Sequence, residues 1–255
     1  VKLLSVARDL KRRKARERHG LFVAEGVRTV EALTASPIRV RGTLHTKEAT
    51  DDPRTNQLLK LLASRDVPST EVSEQDFASA ADTESPQGIL ALAEIPRSPL
   101  HGFPATGTAL LLDAVQDPGN VGTILRSAAA LGVSVTISLP GTVDVWNAKV
   151  VRSSMGALFT HQVAVMDWTE AEQWLASHGV PLWVAAADGK DLARVATTRP
   201  ARLALVVANE GAGVSPQVAA AATERVAIPM AHGSESLNVA VATGILLYVL
   251  GASAP

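Results

Sequence analysis

The stretch Leu203-Ala-Leu-Val-Val-Ala208-Asn-Glu210-Gly211-Ala-Gly213-Val-Ser-Pro216 decides how the rest of the chain is read. It predicts a strand over Leu203–Ala208, a carboxylate at the strand's carboxyl end, two glycines, and a helix over Pro216–Ala222. Glycine lets backbone amides approach a ligand closely, so Asn209-Glu210-Gly211-Ala-Gly213 has the make-up of a binding loop. It is not a dinucleotide fingerprint, because Pro216 stands where the third glycine of G-x-G-x-x-G belongs. No phosphate loop of the form G-x-x-x-x-G-K-[ST] occurs anywhere in the chain. Taken alone, the residues also fit an acidic turn.

The same alternation extends on both sides. Upstream, strands are predicted at Ala109–Asp113, Val133–Ile137, Gln162–Val165 and Leu182–Ala186, with helices at Val121–Leu131, near Ala148–Met155 and at Glu170–His178. Downstream come strand Arg225–Ile228 and helix Ser236–Leu250. Strictly alternating strands and helices predict an α/β fold, a mostly parallel sheet with helices on both faces. Ligands of such sheets sit beyond the carboxyl ends of the strands, which singles out two more loops. After Asp113, Asn120 opens a helix whose apolar stripe is Val121, Ile124, Leu125 and Ala128, with Arg126 off that stripe. An ordinary helix cap and a solvated charge would account for this pair equally well. After Ile228, the run Pro229-Met230-Ala-His-Gly-Ser-Glu-Ser236-Leu237-Asn238 leads into a final helix that is apolar almost all round. Such a helix must be covered on more than one face, by deep burial or by another subunit. Ser236 reads as a good N-cap for it.

Residues 1–95 show a different mixture: a helical stripe at Leu3, Leu4, Ala7 and Leu10 that continues into a basic run, strand Leu21–Ala24, helix Val27–Leu33, strand Ile38–Leu44, helix Asn56–Ala63, a Ser73-capped short helix and strand Gly88–Ala93. Three prolines and two glycines between Pro96 and Gly107 mark a linker. The expected organisation is a small α/β domain over 1–95, a linker over 96–107 and a larger domain over 108–255.

Composition removes several chemistries. The 255 residues contain no cysteine, hence no disulfide, zinc-thiolate site or cysteine nucleophile. Six scattered histidines show no metal-ligand spacing, so no metal centre is expected. The apolar run Val239–Leu250 is too short to cross a bilayer, and no signal-type segment opens the chain; a soluble, cytoplasmic protein is expected. The net charge of −1 speaks against a nucleic-acid partner, but its distribution does not. Residues 1–20 carry eight basic residues against Asp9 and Glu17. A segregated cluster with Arg12, Arg13, Lys14, Arg16 and Arg18 at its centre is the footprint of a phosphate-backbone contact, though a solvated basic helix would look the same.

In order and spacing, Asn120-x-Gly-x-x-x-Arg126, Asn209-Glu210-Gly211-x-Gly213 and Ile228-Pro-Met230 followed by Glu-Ser236-Leu237-Asn238-Val resemble the three motifs of the SpoU/TrmH family of RNA ribose methyltransferases. The likeness spans about Leu110 to Leu250. The first half, with Phe22-Val-Ala-Glu-Gly26 and Pro86-Gln-Gly88-Ile, is similar to that family's ribosomal-protein-like substrate-binding module. The resemblance implies a parallel-sheet domain with a C-terminal trefoil knot, S-adenosylmethionine as methyl donor, and a ribose 2′-hydroxyl in RNA as acceptor, ribosomal RNA ranking ahead of transfer RNA. It also implies a homodimer through the C-terminal domain. Carried over by position, the catalytic set is Asn120, Arg126, Glu210, Ser236 and Asn238. Cofactor contacts fall on the backbone around Ala208, Gly211, Ile228, Met230 and Leu237. The family commonly has glycine where this chain has Ala208, a costly change if the backbone there has a positive φ.

No histidine or cysteine lies in these motifs, so Arg126 is the family's usual candidate for handling the hydroxyl. Arginine holds its proton too tightly to be a good base; binding the adjacent phosphate and stabilising a developing alkoxide suits it better. Asn120 is expected to orient Arg126 or the ribose, Glu210 to hold that network, and Ser236 and Asn238 to position the reacting groups. The competing readings are a catalytically inactive RNA-binding protein on the same scaffold, which calorimetry with S-adenosylmethionine would separate, and a Rossmann-type methyltransferase, whose Gly-rich first turn is missing.

Overall fold

The computed structural model describes residues 2–96, 100, 102–209, 211, 213–231 and 236–251. Its contacts divide the chain into two units, one of residues 1–97 and 144–160, the other of 98–143 and 161–255.

The first unit runs α1 (Lys2–Asp9), α2 (Arg13–His19), β1 (Leu21–Glu25), α3 (Val27–Thr34), β2 (Val40–His45), α4 (Pro53–Ala63), β3 (Ser69–Glu71), α5 (Glu74–Ala80) and β4 (Ile89–Glu94). Its sheet has the order β1-β4-β2-β3; β4 is antiparallel to β1 and β2, and β3 is parallel to β2. The expected helix at Asn56 begins three residues earlier, because Asp52 accepts the Thr55 N–H at 2.9 Å and Pro53 takes the first helical position. The basic run is not one helix: Arg12 is extended (φ −95°, ψ 132°), and α2 starts afresh after it. One core gathers Ala7, Leu10, Val23, Leu44, Phe77, Leu90 and Leu92.

Neighbouring strand residues point to opposite faces, so Phe22 looks away from the core that Val23 joins. It is fully buried against Trp146 at 4.7 Å and Phe159 at 5.9 Å between ring centroids. Residues 144–160, which the sequence places in the second domain, therefore pack in the first unit. Arg16 is the polar counterpart of that packing and a correction to its expected role. Its guanidinium is buried, donating to Asp144 Oδ2 from Nε (2.7 Å) and Nη2 (2.6 Å) and to the carbonyls of Leu10 and Lys11 (2.7 and 3.0 Å) from Nη1. Such a side chain is committed to the fold and is not free to meet RNA.

The second unit begins with β5 (Gly107–Asp113), α6 (Pro118–Ala130) and β6 (Val135–Ser138). The chain then contributes α7 (Ala148–Ser153) to the first unit and returns as β7 (Val163–Val165), α8 (Trp168–Ser177), β8 (Leu182–Asp191), α9 (Leu192–Val195), β9 (Arg202–Ala208), α10 (Pro216–Ala221), β10 (Glu224–Ala227) and α11 (Val239–Gly251). All six strands are parallel, in the order β10-β8-β9-β5-β6-β7. One face of the sheet packs Ala109, Leu111, Ile137, Val184, Ala204 and Val206 against Trp168, Leu175 and Val218. The alternate residues Leu110, Leu112, Leu203, Leu205 and Val207 are buried too, as expected of strands covered on both sides. Helix α11 lies against α6.

One irregularity shapes the site. β10 pairs Arg225 with Val184 but Val226 with Lys190, so β8 carries an excursion over 185–189. It closes at Gly189, where a Cβ would lie 2.6 Å from the Val226 backbone; only glycine fits. Among the described residues no helix is long and apolar enough to cross a membrane.

Candidate active site

The carboxyl ends of β8, β9 and β10 enclose a cleft of about 520 Å³, a volume suited to a small organic ligand. The β8 excursion supplies Ala185 to Asp188, β9 ends in it at Ala208, and Gly211 and Gly213 of the following loop border it. Ile228, Met230, Ser236, Leu237 and Val239 complete the wall. The cleft thus brings together all five residues expected at the cofactor, Ala208, Gly211, Ile228, Met230 and Leu237, along with Ser236. Ala208 ends a regular strand and is not among the residues of positive φ, so alanine carries no backbone strain there. The charged side chains on the described wall are Asp188 and Arg225, joined at 2.5 Å. The hydrogen bond from Arg225 holds the Asp188 carboxyl below the usual carboxylate range.

The loop after β9 is tied down by two residues outside the expected catalytic and cofactor-binding sets. Asp113, buried at the carboxyl end of β5, accepts the Ser215 N–H through Oδ2 at 2.7 Å, and its carbonyl accepts the Asn209 N–H at 3.2 Å. Asn209 accepts the Gly211 N–H through Oδ1 (2.8 Å) and the Gly213 N–H through its carbonyl (2.9 Å). The available signal was position: both are polar residues at the ends of adjacent parallel strands, with Asp113 opposite Ala208. Glu210 lies outside the described residues.

Asp117, not Asn120, caps α6, accepting the Asn120 N–H at 2.7 Å, with Pro118 first in the helix. That leaves the Asn120 side chain for another partner: its Oδ1 accepts from Asn238 Nδ2 at 3.0 Å. Asn238 is itself the cap of α11, its Oδ1 accepting the N–H groups of Ala240 (2.9 Å) and Val241 (3.3 Å). The final helix accordingly starts at Val239 rather than at Ser236, and Ser236 is left on the cleft wall. Arg126 is exposed, on the side of α6 away from buried Val121, Ile124, Leu125 and Ala128. Six residues of helix separate it from Asn120 by about 9 Å along the axis, and no bond between the two side chains occurs.

In the first unit Arg12, Arg13, Lys14 and Arg18 are exposed. Arg12 and Arg18 both reach Asp9, and Arg13 reaches Glu17 at 2.8 Å. Lys14 has no acidic partner among the described residues.

Residues 107–248 match the SpoU rRNA Methylase family, and residues 4–91 match the MRM3-like substrate binding domain. Among curated proteins, the chain is 32% identical to the 23S rRNA (guanosine(2553)-2′-O)-methyltransferase RlmP of Bacillus subtilis, across 95% of this chain and 93% of that one. It is 30% identical to the 23S rRNA (uridine(2479)-2′-O)-methyltransferase of Streptomyces viridochromogenes, across 92% and 84%. The AdoMet-bound rRNA methyltransferase from Sinorhizobium meliloti superposes with a TM-score of 0.87 at 27% identity, covering 99% of this chain and 95% of that one. The SpoU methyltransferase AviRb from S. viridochromogenes, in complex with AdoMet, gives a TM-score of 0.84 at 27% identity, covering 99% and 97%. The parallel sheet with its cleft, the second and third motif loops on its wall and these likenesses agree: the chain belongs to the SpoU rRNA methylase family.

Proposed function

We propose that this chain transfers a methyl group from S-adenosylmethionine to a ribose 2′-hydroxyl of ribosomal RNA. The observation that carries the reading is the cleft beyond β8, β9 and β10, walled by the residues of the second and third motifs and flanked by the Asn120–Asn238 bond. The wall suits the donor. Alanines and glycines leave backbone groups open to an adenosyl group, and the charge of Arg225 is offset by Asp188, so a cationic sulfonium meets no unpaired positive side chain among the described residues of the wall. Bound in that cleft, S-adenosylmethionine supplies a methyl group on sulfur that is already a strong electrophile, so positioning contributes a large share of the rate.

The protein's own groups have the following parts. Ala208, Gly211, Ile228, Met230 and Leu237 hold the donor. The Arg126 guanidinium binds the phosphate next to the target ribose and stabilises negative charge growing on the 2′-oxygen. Asn120, Ser236 and Asn238 position the reacting groups, and Glu210 completes that polar network. Exposed Arg12, Arg13, Lys14 and Arg18 contact the RNA backbone.

Two further features belong to this reading. The trefoil knot that the family resemblance implies for the C-terminal domain is the first. The chain works as a homodimer: one side of α11 is buried through Val239, Thr243, Leu246, Leu247 and Leu250, while Val241, Ile245 and Tyr248 stand exposed at helical spacing on the other. A second copy covers that stripe by two-fold contact.

The test is to map 2′-O-methylation across total RNA from cells with and without the protein. One ribosomal position that loses its methyl group, and regains it in vitro with purified protein and S-adenosylmethionine, is the expected result. An unchanged map together with no calorimetric binding of S-adenosylmethionine would refute the reading in favour of an inactive RNA-binding protein.

A further inference from the structure

We infer that Asn120 presents its amide N–H groups, not its carbonyl oxygen, to the substrate, and that Asn238 is the positioning residue that sets this polarity. The inference rests on the methyltransferase reading above and assigns an atom to a step that reading leaves open.

An asparagine amide has one accepting and one donating end, and which way it faces must be deduced from its partners. Two of the partners have no choice. The backbone N–H groups of Ala240 and Val241 can only donate, so the Asn238 atom they meet at 2.9 and 3.3 Å is its oxygen. The other end of Asn238 is therefore Nδ2, a donor. It lies 3.0 Å from the Asn120 side chain, so the Asn120 atom facing it must be Oδ1. Asn120 is left with Nδ2 and its two hydrogens, for which no acceptor occurs among the described residues. Turning the Asn120 amide over would set two N–H₂ groups against each other. Turning Asn238 over would set its N–H₂ against the first amides of α11. The cap of one helix thus dictates the polarity of a side chain on another.

The chemistry follows from that polarity. Asn238 is directly followed by Val239 and preceded by Leu237, both on the cleft wall, so the amide pair sits at the cleft's lip. A donor there cannot accept the proton leaving the 2′-hydroxyl. It can hydrogen-bond the oxygen as negative charge grows on it, or the neighbouring phosphate, and removing one such donor typically lowers the rate on the order of 10²–10³-fold. Proton removal has to be served by another group.

Asn120→Asp tests this directly, because an aspartate still accepts from Asn238 Nδ2 while replacing the outward donor with an acceptor. The expected result is an unchanged or raised melting temperature, unchanged calorimetric affinity for S-adenosylmethionine, and a single-turnover transfer rate lower by about 100-fold or more. Transfer at or above the wild-type rate would overturn the inference, since it would mean that an oxygen suffices at that place. Asn238→Asp is the second arm. Aspartate caps α11 as well as asparagine does, yet when ionised it has nothing to donate to Asn120. Accepting two backbone N–H groups, that carboxylate stays ionised across about pH 6–9, so single-turnover transfer should be lower by about 100-fold or more throughout that range, with melting temperature and S-adenosylmethionine affinity unchanged. A role confined to fastening the helices predicts instead a changed melting temperature and a transfer rate near that of wild type below the melting range, and that outcome overturns the positioning role. Wild-type protein that transfers no methyl group to ribosomal RNA would defeat the parent reading and this one with it. Wild-type transfer together with full activity in both variants defeats this one alone.

Discussion

Replacing Arg16 with alanine should destabilise the protein strongly, although the residue sits in what looks like a solvent-facing basic run. The substitution removes two charge-assisted bonds to Asp144 and two bonds to the carbonyls of Leu10 and Lys11. It also strands Asp144, whose side chain is 16% exposed, too little for full rehydration. Breaking a buried ion pair by deleting one partner costs about 3–5 kcal/mol, because the remaining charge is left unpaired. The partial exposure of Asp144 and its remaining bond from the Trp146 N–H at 3.0 Å argue for the lower end. At roughly 2–4 °C per kcal/mol for a chain of this size class, a loss of about 3 kcal/mol lowers the melting temperature by about 6–12 °C. The assay is a thermal melt beside Lys14→Ala, an exposed neighbour whose loss should change stability by less than about 0.5 kcal/mol. RNA titrations at several salt concentrations should show the opposite ranking for affinity: the lysine variant weakened with a shallower salt slope, the arginine variant little changed below its melting range. An Arg16→Ala melt within about 2 °C of wild type would refute the energetic argument.

Arg126→Ala should leave the melt and S-adenosylmethionine affinity nearly unchanged, because the side chain is exposed, and lower single-turnover methyl transfer on the order of 10²–10³-fold. Ile245→Arg together with Tyr248→Glu should convert a dimer to a monomer in light scattering at micromolar concentration; a monomeric wild type would remove the basis of that reading. Burial holds His161 down to about 4, with Nε2 2.8 Å from Thr136 Oγ1. The unfolded chain therefore binds the extra proton first, and stability is full above about pH 6.5, falling as the pH drops from there to about 4. His161→Gln should flatten that acid limb in denaturant titrations; an unaltered limb would place the effect elsewhere.

Strands buried on both faces were legible because their sequences are unbroken apolar runs, as in Ala109–Leu112 and Leu203–Val207. The motif loops were legible because glycines and polar residues gather just past strand ends, and eight of the motif residues do wall the cleft. Other features left no such mark. β3 is three mostly exposed residues held only by pairing with β2. The excursion in β8 depends on β10 pairing across it, and no local pattern encodes a partner that far away. Composition cannot separate a buried guanidinium from a solvated one, so Arg16 read like Arg13. Asn120 and Ser236 both looked like helix caps; Asp117 and Asn238 hold those positions because each accepts from backbone N–H groups two or three residues ahead.

The packing of Trp146 and Phe159 on Phe22 has a consequence for how the chain is made. A nascent chain released from the ribosome only as far as Arg97 has its first sheet but not the aromatic cover of β1, which arrives with residues 144–160. At about 5–20 residues per second, the roughly 60 intervening residues take about 3–12 s to synthesise. During that interval Phe22 is a bare ring on a strand, a natural place for a chaperone to hold. For the same reason the first unit is not a portable cassette. A fragment cut at the linker leaves Phe22 uncovered and Arg16 without its carboxylate, whereas a graft that carries the 144–160 segment along takes both partners with it.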